Sequence, residues 1–212
     1  TFGFHQLAAI YLPLHEEAHA NYPIAVHPMG CGSYLGRNQK KCKLHSRMAS
    51  LAANGVASAT MTGFCSNPPF SKRHDIGYAR QHDGLNYIAS SSLNNSDVTI
   101  YSYTKFIEYL RSRFPIDKNN LATLGYSNGA VFANKLAQPL NAKYIVHVAT
   151  GLNSPQDFAT RHLLATREYN YIFGRNDGVV PIGRVLSQLR GIESFAEQTG
   201  LRFVKTVNIV KG

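Results

Sequence analysis

Strand-like and helix-like patterns alternate along most of this chain, which predicts an α/β protein with a mostly parallel sheet covered by helices on both faces. Two further observations point the same way. A short apolar run (Leu121, Ala122, Leu124) leads into Gly125-Tyr126-Ser127-Asn128-Gly129, and behind it Ala130, Val131, Ala133, Leu136 and Ala137 recur at helical spacing. The residues best suited to chemistry, namely Ser127, the Gly-rich segment 28–33 and Asp177, all follow predicted strands. In open α/β sheets the carboxyl ends of strands are where sites form.

In chain order, residues 6–12 read as a strand closed by Pro13, and 22–27 as a second, followed by Pro28-Met29-Gly30-Cys31-Gly32-Ser33. Residues 44–54 carry Leu44, Met48, Leu51 and Ala52 at helical spacing and stop at Gly55. Small and β-branched residues make 56–62 a third strand, and 63–75 is a polar loop with prolines. Residues 76–92 read as a weakly patterned helix, whereas the Ser- and Asn-rich run 90–97 suits a loop. The stripe Tyr103, Phe106, Ile107, Leu110 and Phe114 predicts a helix over 98–114 lying on the sheet. Residues 115–120 read as the turn into the strand before Ser127, and the helix after Ser127 is stopped by Pro139. Strands follow over 142–148 and 169–173, then a loop over 174–181, a helix over 181–198 and a last strand over 202–210. There is no internal repeat, and 1–212 reads as a single domain.

At 212 residues and 44% hydrophobic, the chain suits one sizeable core, and no apolar run is long enough to span a bilayer. It starts without Met or a signal-like segment, which suggests a processed or partial chain, truncated at both ends. Cys31, Cys42 and Cys65 form neither a Cys-x-x-Cys pair nor a zinc-ribbon spacing, leaving one disulfide plus a thiol, or three thiols, as alternatives. The net charge is +10, with basic residues densest over 37–47, including Lys40, Lys41, Lys43 and His45. A polyanion or anionic surface is one use for such a patch. No nucleic-acid module accompanies it, so a solvated face is the better reading and nucleic acid is not an expected partner.

In a chain with 17 glycines, Gly-x-Ser-x-Gly alone is a weak signal. Its flanking strand and helix give it weight, because strand, tight turn and helix form the setting of a nucleophile elbow. In that setting Ser127 projects its hydroxyl from the top of the sheet, and the N–H of Asn128 points at an oxyanion. Asp177 sits in an Asn-Asp-Gly turn, where Asp often serves backbone hydrogen bonding alone. Its place after the penultimate strand makes it the candidate acid, with Asp157 the fallback. His15-Glu16-x-x-His19 literally matches the zincin motif, in which two histidines share a zinc and the glutamate polarises its water. Pro13 and Pro23 bracket that segment, no apolar stripe anchors it, and Tyr22 and Ala25 occupy the extended motif's Gly and His positions. A polar connection between strands is the better reading, with a zinc metalloprotease the remote alternative.

Tyr22-Pro-Ile-Ala-Val26 followed by Met29-Gly30-Cys31-Gly32, the approach Ile116-Asp-Lys-Asn-Asn-Leu-Ala-Thr-Leu-Gly-Tyr-Ser127-Asn-Gly-Ala130, and Phe173-Gly-Arg-Asn-Asp177-Gly-Val-Val-Pro181 together resemble an α/β-hydrolase over nearly the whole chain. The resemblance is to small lidless esterases and depolymerases related to dienelactone hydrolases, cutinase-like polyesterases and polyhydroxybutyrate depolymerases. It implies a serine hydrolase that cleaves small or polymeric carboxylic esters through an acyl-enzyme at Ser127, with Asp177 as triad acid and no cofactor. It also implies oxyanion donors at the N–H of Asn128 and Cys31 (Met29 in a shifted alignment), with Tyr126 and Met29 lining the substrate site. The usual His-Gly-x-Gly lacks its histidine here. The triad histidine is expected just beyond Gly212. Within the chain, His162 is the substitute base, His147 reads as a core residue, and His27 as an orienter of the oxyanion loop. A stretch of roughly 20 residues between 148 and 169 leaves no room for a large lid. The rival reading is a non-catalytic binding protein of the same fold.

Overall fold

Among the described residues seven strands form one sheet: β1 (Ala8–Tyr11), β2 (Tyr22–Pro28), β3 (Ala57–Met61), β4 (Ile116–Tyr126), β5 (Tyr144–Val148), β6 (Glu168–Gly174) and β7 (Val204–Val210). Among the described residues, helices α1 (Lys43–Ala53), α2 (Leu93–Arg113), α3 (Asn128–Ala137) and α4 (Ile182–Gln198) alternate with them. The computed structural model describes residues 8–14, 21–28, 43–61, 93–126, 128–149 and 167–211. The spatial order is β1-β3-β2-β4-β5-β6-β7. β1 runs antiparallel to β3, and every other neighbouring pair is parallel. This is the mostly parallel α/β sheet that the alternating patterns predict.

The central strands show why the sheet needs cover on both faces. β3 is buried at all five positions, and β2 is buried from Ile24 to Pro28. Small residues such as Ala25, Ala57 and Ala59 let helices approach closely there. On β5 and β6 burial alternates with the pleat, and Ile145, His147, Tyr169, Tyr171 and Phe173 turn inward. Tyr169 and Tyr171 stack at 6.1 Å, and Tyr171 and Phe173 at 6.0 Å. The buried stripe Val185, Leu189 and Ile192 of α4 belongs to the same apolar cluster.

The stripe predicted for α2 is present: Tyr103, Ile107 and Leu110 are buried, with Phe106 and Phe114 packed against the same core. The helix nevertheless begins at Leu93, inside the run expected to be a loop. Ser, Asn and Asp favour turns and caps when nothing else holds the backbone. Once Tyr103 to Leu110 is packed, extending the helix backward gains a hydrogen bond per residue without a new nucleus. A second correction concerns 115–120, read as a turn. β4 already starts at Ile116, and its pairing with β2 jumps from Tyr22↔Ile116 to Ile24↔Leu121. The surplus residues of β4 form a bulge, in which the Asp117 carboxylate accepts the Asn119 N–H (2.8 Å) and the Asn120 side-chain N–H (2.6 Å). The polar run is thus a turn folded inside a strand. The 63–75 loop, the 76–92 helix, the three cysteines and His15, Glu16 and His19 lie outside the described residues.

α3 crosses so close to β4 that a Cβ on Gly125 would overlap the Gly129 carbonyl oxygen and the Ala130 backbone. Those are backbone atoms, which cannot rotate away. Gly125→Ala is therefore expected to destabilise the fold by about 3 kcal/mol or more, lowering Tm by roughly 10 °C. A thermal melt of the variant that coincides with the parent would contradict this packing.

Candidate active site

From β2 the chain passes through α1 to β3 on one side of β2, then returns through α2 to β4 on the other side. The direction of sheet growth therefore reverses between β2 and β4. At such a switch point the outgoing connections diverge and leave a crevice above the carboxyl ends of the two strands. Here β2 ends at Pro28 and β4 at Tyr126. α3 starts at Asn128, so a single residue, Ser127, joins β4 to α3. The first N–H groups of a helix, that of Asn128 among them, have no intrahelical partner and carry its positive end. Ser127, Met29 and Cys31, together with the fallbacks Asp157 and His162, lie outside the described residues.

Asp177 stands three residues past the end of β6. Its N–H donates to the Gly174 carbonyl (3.3 Å), and its Oδ1 accepts the N–H groups of both Val179 and Val180 (2.9 Å each). The carboxylate is thus held by the loop it belongs to, as an Asn-Asp-Gly turn predicts, and those contacts all fall on one oxygen. β7 ends beside the same loop: Gly174 pairs with Val210, and the Arg175 N–H donates to the Val210 carbonyl (2.9 Å).

The two histidines of the central strands are core residues. His147 is 3% exposed, sits edge-on to Tyr171 (5.3 Å) and has no hydrogen-bond partner on either ring nitrogen among the described residues. Burial lowers its pKa to about 4. His27 is equally buried, with Nε2 at 3.2 Å from the Ser58 hydroxyl. Burial, and secondarily the Arg47 charge, lowers its pKa to about 4 as well. Its carbonyl accepts the Thr60 hydroxyl (2.6 Å). Beside it the Tyr103 hydroxyl donates to the Met61 carbonyl (2.6 Å) and accepts the Met61 N–H (3.3 Å). This phenol fastens α2 to the carboxyl end of β3 next to β2. In the sequence Tyr103 registers only as one member of an apolar stripe.

A second feature escapes sequence reasoning. Arg47 of α1 lies with Cζ 4.9 Å from the centre of the Tyr126 ring, a cation–π contact at the residue preceding Ser127. α1 is fixed for this by Leu44 and Met48, which pack with Ala9 and Tyr11, and by a 2.7 Å hydrogen bond between the Tyr11 hydroxyl and His45 Nδ1. Arg47, one turn on from Leu44, is exposed on the flank of that packed face. The basic run was visible in the sequence; its reach to Tyr126 was not, because nothing local links positions 47 and 126.

No protein-family model and no curated protein matches the chain; the likeness is in three dimensions. A Bacteroides ovatus protein assigned as a dipeptidyl aminopeptidase IV aligns at TM-score 0.65 and 13% identity, covering 97% of this chain and 30% of that longer one. Esterase PE8 aligns at TM-score 0.60 and 14% identity, covering 99% of this chain and 90% of its own. Thermogutta terrifontis esterase 2, in a form phosphorylated by paraoxon, aligns at TM-score 0.60 and 12% identity, covering 100% and 79%. A Coxiella burnetii α/β serine hydrolase homologue aligns at TM-score 0.54 and 15% identity, covering 98% and 82%. The chain has the α/β-hydrolase fold. Among the described residues no helix is long and apolar enough to cross a membrane.

The buried histidines give this fold a definite pH response. An unfolded imidazole titrates near 6.5, whereas both are held to about 4 here. Between those values the unfolded chain binds more protons, so the stabilisation is complete above about 6.5 and is lost as pH falls toward 4, at most about 3 kcal/mol per histidine. Urea midpoints measured from pH 7 to pH 4.5 should fall steeply for the parent and less steeply for His147→Phe. Equal slopes would contradict the burial of a neutral imidazole.

Proposed function

We propose that residues 1–212 form a single hydrolase domain that cleaves carboxylic esters through an acyl-enzyme on Ser127. The observation that carries this reading is the one-residue junction between β4 and α3, compressed by Gly125 and lying at the switch point of the sheet. A side chain at such a junction has no room to fold back and is offered to the crevice. The esterases among the structural neighbours support the reaction class.

In this mechanism Ser127 Oγ attacks the ester carbonyl and passes its proton to a general base. The oxyanion that forms accepts hydrogen bonds from the N–H groups of Asn128 and Cys31. Collapse of the adduct expels the alcohol, which takes the proton back, and water then repeats the sequence on the acyl-enzyme. Tyr126 and Met29 line the substrate side. β4 and β6 are two strand spacings apart, about 10 Å, and in this mechanism one imidazole bridges Ser127 and Asp177 across that span. With Asp177 Oδ1 engaged by Val179 and Val180, Oδ2 is the oxygen to orient that ring. We assign the ring to a histidine encoded after Gly212, because the chain leaves β7 at Val210 beside the Asp177 loop. His27 and His147 are buried and held neutral, and His162 is kept as the internal alternative.

Hydrolysis of p-nitrophenyl butyrate should appear in the chain extended along its natural reading frame and fall to background in Ser127→Ala. Asp177→Asn should lower kcat about a thousandfold to ten-thousandfold with little change in KM. Activity of the 212-residue chain alone would move the base to His162, to be tested by His162→Ala. Absence of hydrolysis in every form would overturn the reading in favour of a binding protein.

A further inference from the structure

Arg47 is the one charged side chain that the described structure brings onto a residue flanking Ser127. Three facts define its state. α1 is pinned to β1 and β3 by Leu44, Met48 and the Tyr11–His45 hydrogen bond, so the arginine's origin is fixed. Its guanidinium rests over the ring of Tyr126, which is itself 41% exposed at the end of β4. Among the described residues the ion pairs are Lys105–Glu108 and Lys205–Glu193, and neither involves Arg47. A guanidinium lying on an aromatic face uses its π surface there and keeps its N–H edge, a planar fork that matches a carboxylate bidentately. The contact with the ring also pre-orders a long side chain that otherwise loses rotamer freedom on binding. The +10 net charge adds a field that draws anions to the molecule.

We infer that Arg47, held on Tyr126, is a specificity residue that receives a carboxylate carried by the substrate a few carbons from its scissile carbonyl, so that the preferred esters are half-esters of dicarboxylic acids or similarly anionic acyl compounds. This rests on the serine hydrolase reading, since it is Tyr126's place next to Ser127 that puts the cation at the reacting end. Apolar esters of equal length lack the partner for the N–H edge and are the poorer substrates.

The test compares mono-p-nitrophenyl glutarate with p-nitrophenyl valerate, which have the same five-carbon acyl chain with and without the terminal carboxylate. With the extended chain, kcat/KM should favour the glutarate by about tenfold, the scale of one charge-assisted contact at a half-exposed site. The preference should shrink as ionic strength rises, be lost in Arg47→Gln and be partly kept in Arg47→Lys. Hydrolysis of both esters without preference, or a preference that survives Arg47→Gln, would overturn the inference while leaving the hydrolase reading intact. A calorimetric titration with glutaramate and valeramide, unreactive amides of the same length, separates the two claims. If neither ester is turned over but glutaramate binds the parent and not Arg47→Gln, the anion site stands and the hydrolase reading falls. If glutaramate does not bind either, both fall.

Discussion

Between the last turn of backbone in β4 and the first turn of α3 there is room for a hydrogen atom on Gly125 and for nothing larger. That close crossing fixes the rest. It brings Ala130, Ala133 and Ala137 of α3, all fully buried, down onto the sheet, and their small side chains are what allow the approach. It also sets the direction of α3, whose N-terminus is directed at the carboxyl end of β4. A larger residue at 125 would lift the helix and with it the alignment of Asn128 above the strand ends. Glycine here is a packing requirement and not a matter of positive φ.

The second constraint is topological. Because the chain crosses over β2 on its way from β3 to β4, the sheet grows in opposite directions from β2 and from β4, and the strand ends at Pro28 and Tyr126 mark the switch point at which sites form in open α/β sheets. Polar contacts lie buried at and beside the end of β2. The Tyr103 phenol bonds both main-chain groups of Met61, Thr60 bonds the His27 carbonyl, and His27 meets Ser58. These groups tie β2, β3 and α2 into one rigid rim. Buried polar groups cost stability unless they find partners, so these contacts under a strand end are a means of holding geometry, with His27 Nδ1 left without a hydrogen-bond partner among the described residues. On the other flank, Asp177 is fixed by its own loop through Val179 and Val180.

Much of this was legible in the residues. The strand run Tyr22-Pro-Ile-Ala-Val26 declares itself as a short, continuously apolar stretch buried on both faces, and the stripe Tyr103, Ile107, Leu110 because its burial repeats with the helical period. The Gly125-to-Gly129 motif and Asp177 were visible because their neighbours give away a strand end. Two segments depart from their local preference for one reason: residues 93–97 and 116–120 are rich in Asn, Ser and Asp, which favour turns, while packing at Tyr103 and pairing with β2 decide their structure. Contacts across the sheet left no local trace. Arg47 on Tyr126, and Tyr103 on Met61, link positions far apart in the chain, and only the strand order reveals them.

The claim that most depends on all of this is that Ser127, at the β4–α3 junction, is the nucleophile. It is tested most directly by incubating the chain, extended along its natural reading frame, with paraoxon and locating the adduct by peptide mass spectrometry. The account predicts one diethylphosphoryl group, on Ser127, absent from Ser127→Ala and slowed in Asp177→Asn. An unmodified Ser127, or a label that persists in Ser127→Ala, would contradict it.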